Sequence, residues 1–428
     1  MIYATVAGDV GREPRMMIRH AKVPVLLLLS VLSACGGSPT DALTSSEKAV
    51  ASVKIVSPFA AVASLAQGTV ARLNVDLRDK RGSLLTPIPM RWKSSDSTIV
   101  SVSADGDVRG IRRSGTALIT ATAGSASDTI TISTYWGYVS SITPKNQVKV
   151  IPLTIPDDAR SRSIRIIVRV PVDAPGPVPV IFSVFGLLNT EEVEPDYGNV
   201  LASAGYVVVH TGTAPYVQKQ LCAEFGVTDC NEMIWPTRIA TARDVKVLLD
   251  NLTSIGTRAG VTLDAARIGV SGTSSGGAIV MYLAGATTDL SPTVKAVSLA
   301  ESRIIAFLGN SAPATRTDNG SFSGFSDSSW ARITRPTMQQ ALAGDVDAAG
   351  RRLIFDVMPR GDKYLAFFNT QAIVSYNPLQ QEPFGGLIMS NALAFFDTYL
   401  RGSAEAKKWL TTNELAHGSI GLAQMSTK

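Results

Sequence analysis

One short stretch, RIGVSGTSSGGAIVMYLAGA (residues 267–286), most constrains what this chain can fold into. An apolar run of strand character meets a cluster of glycines and serines, and a second apolar run of helical character follows at once. Gly272-Thr273-Ser274-Ser275-Gly276 is therefore expected on a sharp strand-to-helix turn. Its flanking glycines are needed because side chains there would strike the neighbouring strand and helix. Such a turn holds Ser274 in strained geometry with its hydroxyl exposed, and Gly277 adds a third position for close packing.

The surrounding sequence supplies the sheet that such a turn requires. Residues 148–155 and 164–170 read as opening strands, and VPVIFSV (178–184) as a buried central one. A helix near 195–204, the strand YVVVH (206–210), a helix over about 237–253 and the strand RIGVS (267–271) follow. After the helix from Ser275 come a strand at VKAVSLA (294–300), a strand near 353–358 and a closing helix, GGLIMSNALAFFDTYL. That succession predicts a mostly parallel sheet with helices on both faces.

Residues 51–134 follow another pattern. Short alternating runs such as VASVKIV, ARLNVDL, TIVSVSA, TALITATA and DTITIST are separated by Gly, Asp, Asn and Ser turns, which predicts a β-sandwich. With 428 residues, 45% apolar and 18% charged, the chain is long enough for two folded units. Its formal charge of +5 is scattered rather than gathered in a stripe, which argues against nucleic acid as a partner.

The N-terminus reads as an export signal. Arg19 and Lys22 precede an apolar run from Val23 to Leu32, too short to span a bilayer, which needs about 20 apolar residues in a helix. The sequence Leu32-Ser33-Ala34-Cys35 resembles the lipobox of bacterial lipoproteins. That resemblance implies a signal segment over 1–35, lipidation of Cys35 and a membrane anchor on the periplasmic or cell-surface side. Residues 36–50 are small and polar, as a tether would be. Cys222 and Cys230 are then left to pair in an oxidising compartment, with two free thiols as the alternative.

Two further resemblances add expectations. RWKSSDSTIVSVSADGDVRGIRRSGTALITATAGSASDTITI resembles the group 2 bacterial immunoglobulin-like domain, with Trp92 in the core, Asp105-Gly106 turning between strands and Gly115-Thr116-Ala117 opening another. Modules of that family act as spacers or as adhesive units, which implies a possible surface or glycan partner. Residues 135–428 resemble α/β-hydrolase-fold enzymes of the platelet-activating-factor acetylhydrolase and dienelactone hydrolase type, through the G-T-S-S-G turn and PVIFSVFGLLNTEEVEPDYGNVLASAGYVVV.

The hydrolase resemblance implies Ser274 as nucleophile, with backbone amides of Ser275 and Leu187 forming the oxyanion hole. Phe185-Gly186 stands where the family has His-Gly, and a backbone donor does not depend on that side chain. For the acid, ITRPTMQQALAGDVD puts Asp347 first, Glu301 second and Asp362 third. For the base, LIFDVMPRGDKYLAFFN carries Lys363-Tyr364 where the family has histidine. The chain has only three histidines, of which His20 lies in the export signal, His210 ends YVVVH and His417 lies near the C-terminus. His417 and Lys363 are the candidate bases, with His210 behind them.

Two functions are thus expected. The first is an exported serine hydrolase acting on a small-molecule or polymeric ester, with no metal and no organic cofactor implied. The other is a catalytically degenerate surface protein with a binding or adhesive role, which the missing histidine favours and the complete serine turn opposes.

Overall fold

A computed structural model describes residues 50–428 except 58–62, 87, 113–114, 141–146, 186–194, 213–217, 314–316, 319–320, 327, 346–347 and 371–383. Cys35, Leu187 and Asp347 lie outside the described residues.

The N-terminal strands are short: β1 (Ser52–Val56), β2 (Ser64–Ala66), β3 (Val70–Arg72), β4 (Asn74–Arg78), β5 (Arg91–Ser94), β6 (Val100–Val102), β7 (Asp107–Gly110), β8 (Gly115–Ala123) and β9 (Ala126–Tyr135). They form three small sheets, β2-β9-β8-β5, β3-β7-β6 and β1-β4, around one apolar core that includes Val53, Leu77, Val108, Ile119 and Ile132. Period-two alternation drives this, since Ala117, Ile119, Ala121 and Ala123 of β8 turn inward while Thr116 and Leu118 face out. Gly106 makes the β6–β7 turn at φ +86°, where a Cβ would come within 2.9 Å of the Trp92 indole.

The larger sheet contains β10 (Val148–Asp157), β11 (Arg162–Pro171), β12 (Val178–Phe185), β13 (Val207–Thr211) and β14 (Leu263–Thr273). A two-stranded ribbon, β15 (Thr287–Thr288) with β16 (Val297–Ser298), precedes β17 (Ala306–Asn310), and another, β18 (Thr317–Asp318) with β19 (Ser321–Phe322), follows it. Next come β20 (Thr337–Leu342), β21 (Lys363–Phe368) and β22 (Ala423–Thr427). The spatial order is β10-β11-β13-β12-β14-β17-β20-β21-β22, parallel from β13 to β21 and antiparallel at both edges.

Helices cover both faces. One face packs α3 (Pro236–Asp250), α4 (Leu252–Ala259), α5 (Ser275–Ala284) and α6 (Ala348–Val357); the short α2 (Gln218–Phe225) joins the same core through Leu221 and Cys222. The other packs α1 (Pro195–Ser203), α7 (Phe384–Arg401), α8 (Ala404–Thr411) and α9 (Glu414–Gly418). This mixed sheet with helices on both faces is compatible with an α/β-hydrolase domain.

Two expected strands are absent from this sheet. VKAVSLA contributes only the two-residue β16, because Ala296 takes φ +51° and breaks the extended run. Residues 353–358 fall in and after α6, where Ile354 and Phe355 are buried while Leu353 and Val357 are exposed, a helical rather than an alternating pattern. The strands that fill those places are β17, β20 and β21.

Cys222 and Cys230 are joined by a disulfide, with Cα atoms 5.7 Å apart, inside the usual range. It closes a short loop between α2 and the segment leading to α3. Replacing both cysteines with alanine is expected to lower stability by about 2–3 kcal/mol on the loop-entropy estimate. Urea unfolding of the double variant against the oxidised parent measures this, and equal midpoints would contradict it.

Candidate active site

The elbow forms where β14 ends. Ser274 has φ +54° and ψ −119°, a conformation that costs a non-glycine residue on the order of 1–3 kcal/mol. Its N–H donates to the Asn310 carbonyl at 2.8 Å, its carbonyl accepts from the Ala278 N–H at 3.2 Å, and the residue is exposed. Close packing holds it there. A Cβ on Gly277 would come within 2.8 Å of Ala312 Cα, so the first turn of α5 lies directly on the chain leaving β17.

Ser275 is buried as the first residue of α5, and its N–H has no acceptor within the helix, as for any first-turn amide. Its hydroxyl accepts a hydrogen bond from Arg238 Nε at 2.9 Å. Arg238, on the first turn of α3, is itself buried, and its guanidinium lies 3.8 Å over the Trp235 ring. A buried cation thus braces the residue after Ser274. Nothing in the sequence singled Arg238 out, because it is 37 positions away.

A second polar group lies one strand over. Ser311 follows β17 at φ +44°, and its hydroxyl lies 2.8 and 3.1 Å from the two Asp345 carboxylate oxygens. Asp345, in the loop after β20, also accepts the Leu342 N–H at 2.9 Å and pairs with Arg351 at 2.5 Å. In the sequence it stands two residues before Asp347. Beneath the elbow on the α7 face, Tyr197 and Ser271 share a hydrogen bond of 2.8 Å. Gln340 Nε2 donates to Asn310 Oδ1 at 3.2 Å and to the Ile388 carbonyl at 3.1 Å.

The structure brings Ser274 and Ser275 together with the end of β12, since Phe185 pairs with Thr273. It separates Lys363 from them. Lys363 opens β21, and the ladder Thr273–Asn310–Gln340–Ala366 puts it three residues, roughly 10 Å, toward the opposite end of the sheet. There its ammonium donates to the carbonyls of Thr334 at 3.2 Å and Gly361 at 2.5 Å, and burial lowers its pKa. The sequence that follows β21, residues 369–383, is NTQAIVSYNPLQQEP and contains no histidine.

His417 is exposed in α9, just before β22. It sits at the sheet end that bears Ser274, but four strand spacings of about 4.8 Å away. His210 is buried on the α1 face, level with Ser271 and two strands from β14. Glu301 and Asp362 precede β17 and β21, at the far end of the sheet, where they pair with Arg303 and Lys407.

No family model matches the sequence, and no curated protein matches it. Among solved structures the chain is similar to a protein of Klebsiella pneumoniae subsp. pneumoniae assigned as a dienelactone hydrolase, at 15% identity, covering 59% of this chain and 100% of that chain with a TM-score of 0.42.

Proposed function

We propose that this protein is an exported serine hydrolase cleaving a carboxylic ester or related acyl bond through an acyl-enzyme on Ser274. The observation that carries the reading is the exposed serine held at φ +54° between a strand and a helix, a strain with no other evident use. In this reading the Ser274 oxygen attacks the acyl carbon as its proton passes to a base, and the developing oxyanion accepts from the backbone N–H of Ser275 and that of Leu187. Arg238 keeps the first of these donors in place through its bond to the Ser275 hydroxyl. The C–O bond to the leaving group then breaks as that group takes up the proton, and water hydrolyses the acyl-enzyme. The acid is assigned to Asp347, five residues beyond the end of β20 in the sequence. Neither His417 nor Lys363 is within hydrogen-bond reach of Ser274, so a base role for either requires a rearrangement of its surroundings.

The disulfide supports export, because such bonds persist in oxidising compartments. Lipid attachment at Cys35 would keep the protein on the membrane, and the N-terminal β-domain, read as immunoglobulin-like, would space the hydrolase from it or hold a surface partner.

A second reading is favoured by one observation. Among the described residues the carboxylate nearest the expected acid position, Asp345, is engaged by Ser311 and Arg351 rather than by a histidine. A retained scaffold with a binding role would look the same. Treating the soluble form with a fluorophosphonate probe, beside Ser274→Ala, separates the two. Labelling that vanishes in the variant is expected; a folded protein that stays unlabelled from neutral to alkaline pH would overturn the hydrolase reading.

A further inference from the structure

The chain entering α3 reaches the serine turn through one strained residue. Trp235 caps the helix, its carbonyl accepting the Arg238 N–H at 3.0 Å, and it does so at φ +46° and ψ +52°. A left-handed conformation at a bulky residue costs on the order of 1–3 kcal/mol and persists only where its surroundings impose it. On one side, the Arg238 guanidinium lies 3.8 Å over the indole and donates to the Ser275 hydroxyl at 2.9 Å. On the other, the Leu290 carbonyl holds the Ile234 N–H at 2.7 Å, and the Met233 thioether lies 3.8 Å from Cys222 Sγ, against the disulfide that ties Cys230 back to α2. Only four residues separate Cys230 from Trp235. Disulfide, indole, guanidinium and Ser275 thus form one line of contacts that ends beside Ser274.

Each member of the line depends on the one before it. A planar guanidinium is placed by a flat ring as much as by its hydrogen bond, so without the indole Arg238 loses its cover and the Ser275 hydroxyl its donor. Opening the disulfide frees Cys230 from α2. The Trp235 backbone then relaxes to an ordinary φ, which takes the ring off Arg238.

We propose that Trp235 is a positioning residue for the oxyanion donor at Ser275 and that the Cys222–Cys230 disulfide holds it there, so that the serine is fully reactive only in the oxidised protein. The inference rests on the hydrolase reading of Ser274. An enzyme built this way stays quiet until it reaches an oxidising compartment. Cys230 is partly exposed, so a thiol can reach it. Dithiothreitol opens the bond by supplying two electrons and two protons, leaving two cysteine thiols and its own cyclic disulfide.

Fluorophosphonate labelling and p-nitrophenyl acetate turnover by the soluble protein, oxidised and reduced, test this beside Trp235→Leu, Trp235→Phe and Leu252→Ala. Reduction and Trp235→Leu should each slow labelling tenfold or more and lower kcat with KM little changed, since an oxyanion donor acts in the transition state. Trp235→Phe, which keeps a flat ring, should stay within a few-fold of the parent. Leu252→Ala truncates a buried side chain of α4 and should lower stability without slowing labelling. Deuterium uptake by the first amides bonded within α5, residues 278–282, should rise on reduction and in Trp235→Leu, whether or not Ser274 reacts. Unchanged uptake would overturn the proposal; so, in a protein that labels, would parent rates in either form or equal slowing by Leu252→Ala. A parent that never labels but takes up deuterium as expected fails the hydrolase reading, while the coupling stands.

Discussion

Gly272→Ala is expected to abolish fluorophosphonate labelling and to lower stability by about 3 kcal/mol or more. A Cβ at this position would come within 2.5 Å of the Gly276 carbonyl oxygen and 2.6 Å of its carbon. Both are backbone atoms of the first turn of α5, so no rotamer change relieves the contact. The helix cannot retreat either, because Gly277 leaves no slack against Ala312 and Val184 closes the other side, 2.8 Å from the same Cβ. The remaining response is to unwind the turn, which releases Ser274 from its strained φ and draws the Ser275 amide away. Urea unfolding and probe labelling read the two consequences. A variant with the parent's midpoint and labelling rate would show that the elbow has room the geometry denies.

Acid is expected to destabilise the protein through His210. Its ring is fully buried against α1, where a Cβ on Gly198 would come within 2.1 Å of Nε2, and neither ring nitrogen has a hydrogen-bond partner among the described residues. Burial, with the Arg169 cation second, lowers its pKa to about 3. The folded form therefore stays neutral where an unfolded histidine, with a pKa of about 6.5, takes up a proton. In that window the unfolded state binds more protons, so His210's contribution to stability is fully present above about pH 6.5 and falls as pH drops toward 3. Between about pH 6 and pH 4 the loss is on the order of 2.5 kcal/mol. Urea unfolding across that range, with His210→Leu for comparison, measures it: the parent should lose about that much more than the variant. Parallel pH profiles would mean that the ring finds a proton acceptor or opens to water.

The elbow was legible because its constraint is local: the glycines around Ser274 answer contacts made within a few residues or with the next strand. The same holds for the Asp105-Gly106 turn, whose φ of +86° at Gly106 only glycine adopts readily. The right half of the sheet was not. β20 carries Gln339 and Gln340, fully buried, and a buried polar pair reads as loop until its partners are known. The Gln340 amide nitrogen donates to Asn310 and Ile388, 30 and 48 positions away. The mostly apolar residues 353–358 suited a strand or a helix equally, and tertiary packing chose the helix. With LIFDV as the last strand, Lys363 would fall into the following loop, where a base would stand. With β21 beginning at Lys363, that residue instead closes the opposite end of the sheet.

By itself the sequence determined the serine turn, the change from short alternating strands to alternating strands and helices, and the spacing of Cys222 and Cys230, since each depends on residues close together in the chain. Only the tertiary structure decided that Arg238 braces Ser275 and that Asp345 is engaged by Ser311 and Arg351. Those groups come from separate elements, and what their side chains do depends on burial and on partners that chain order does not specify.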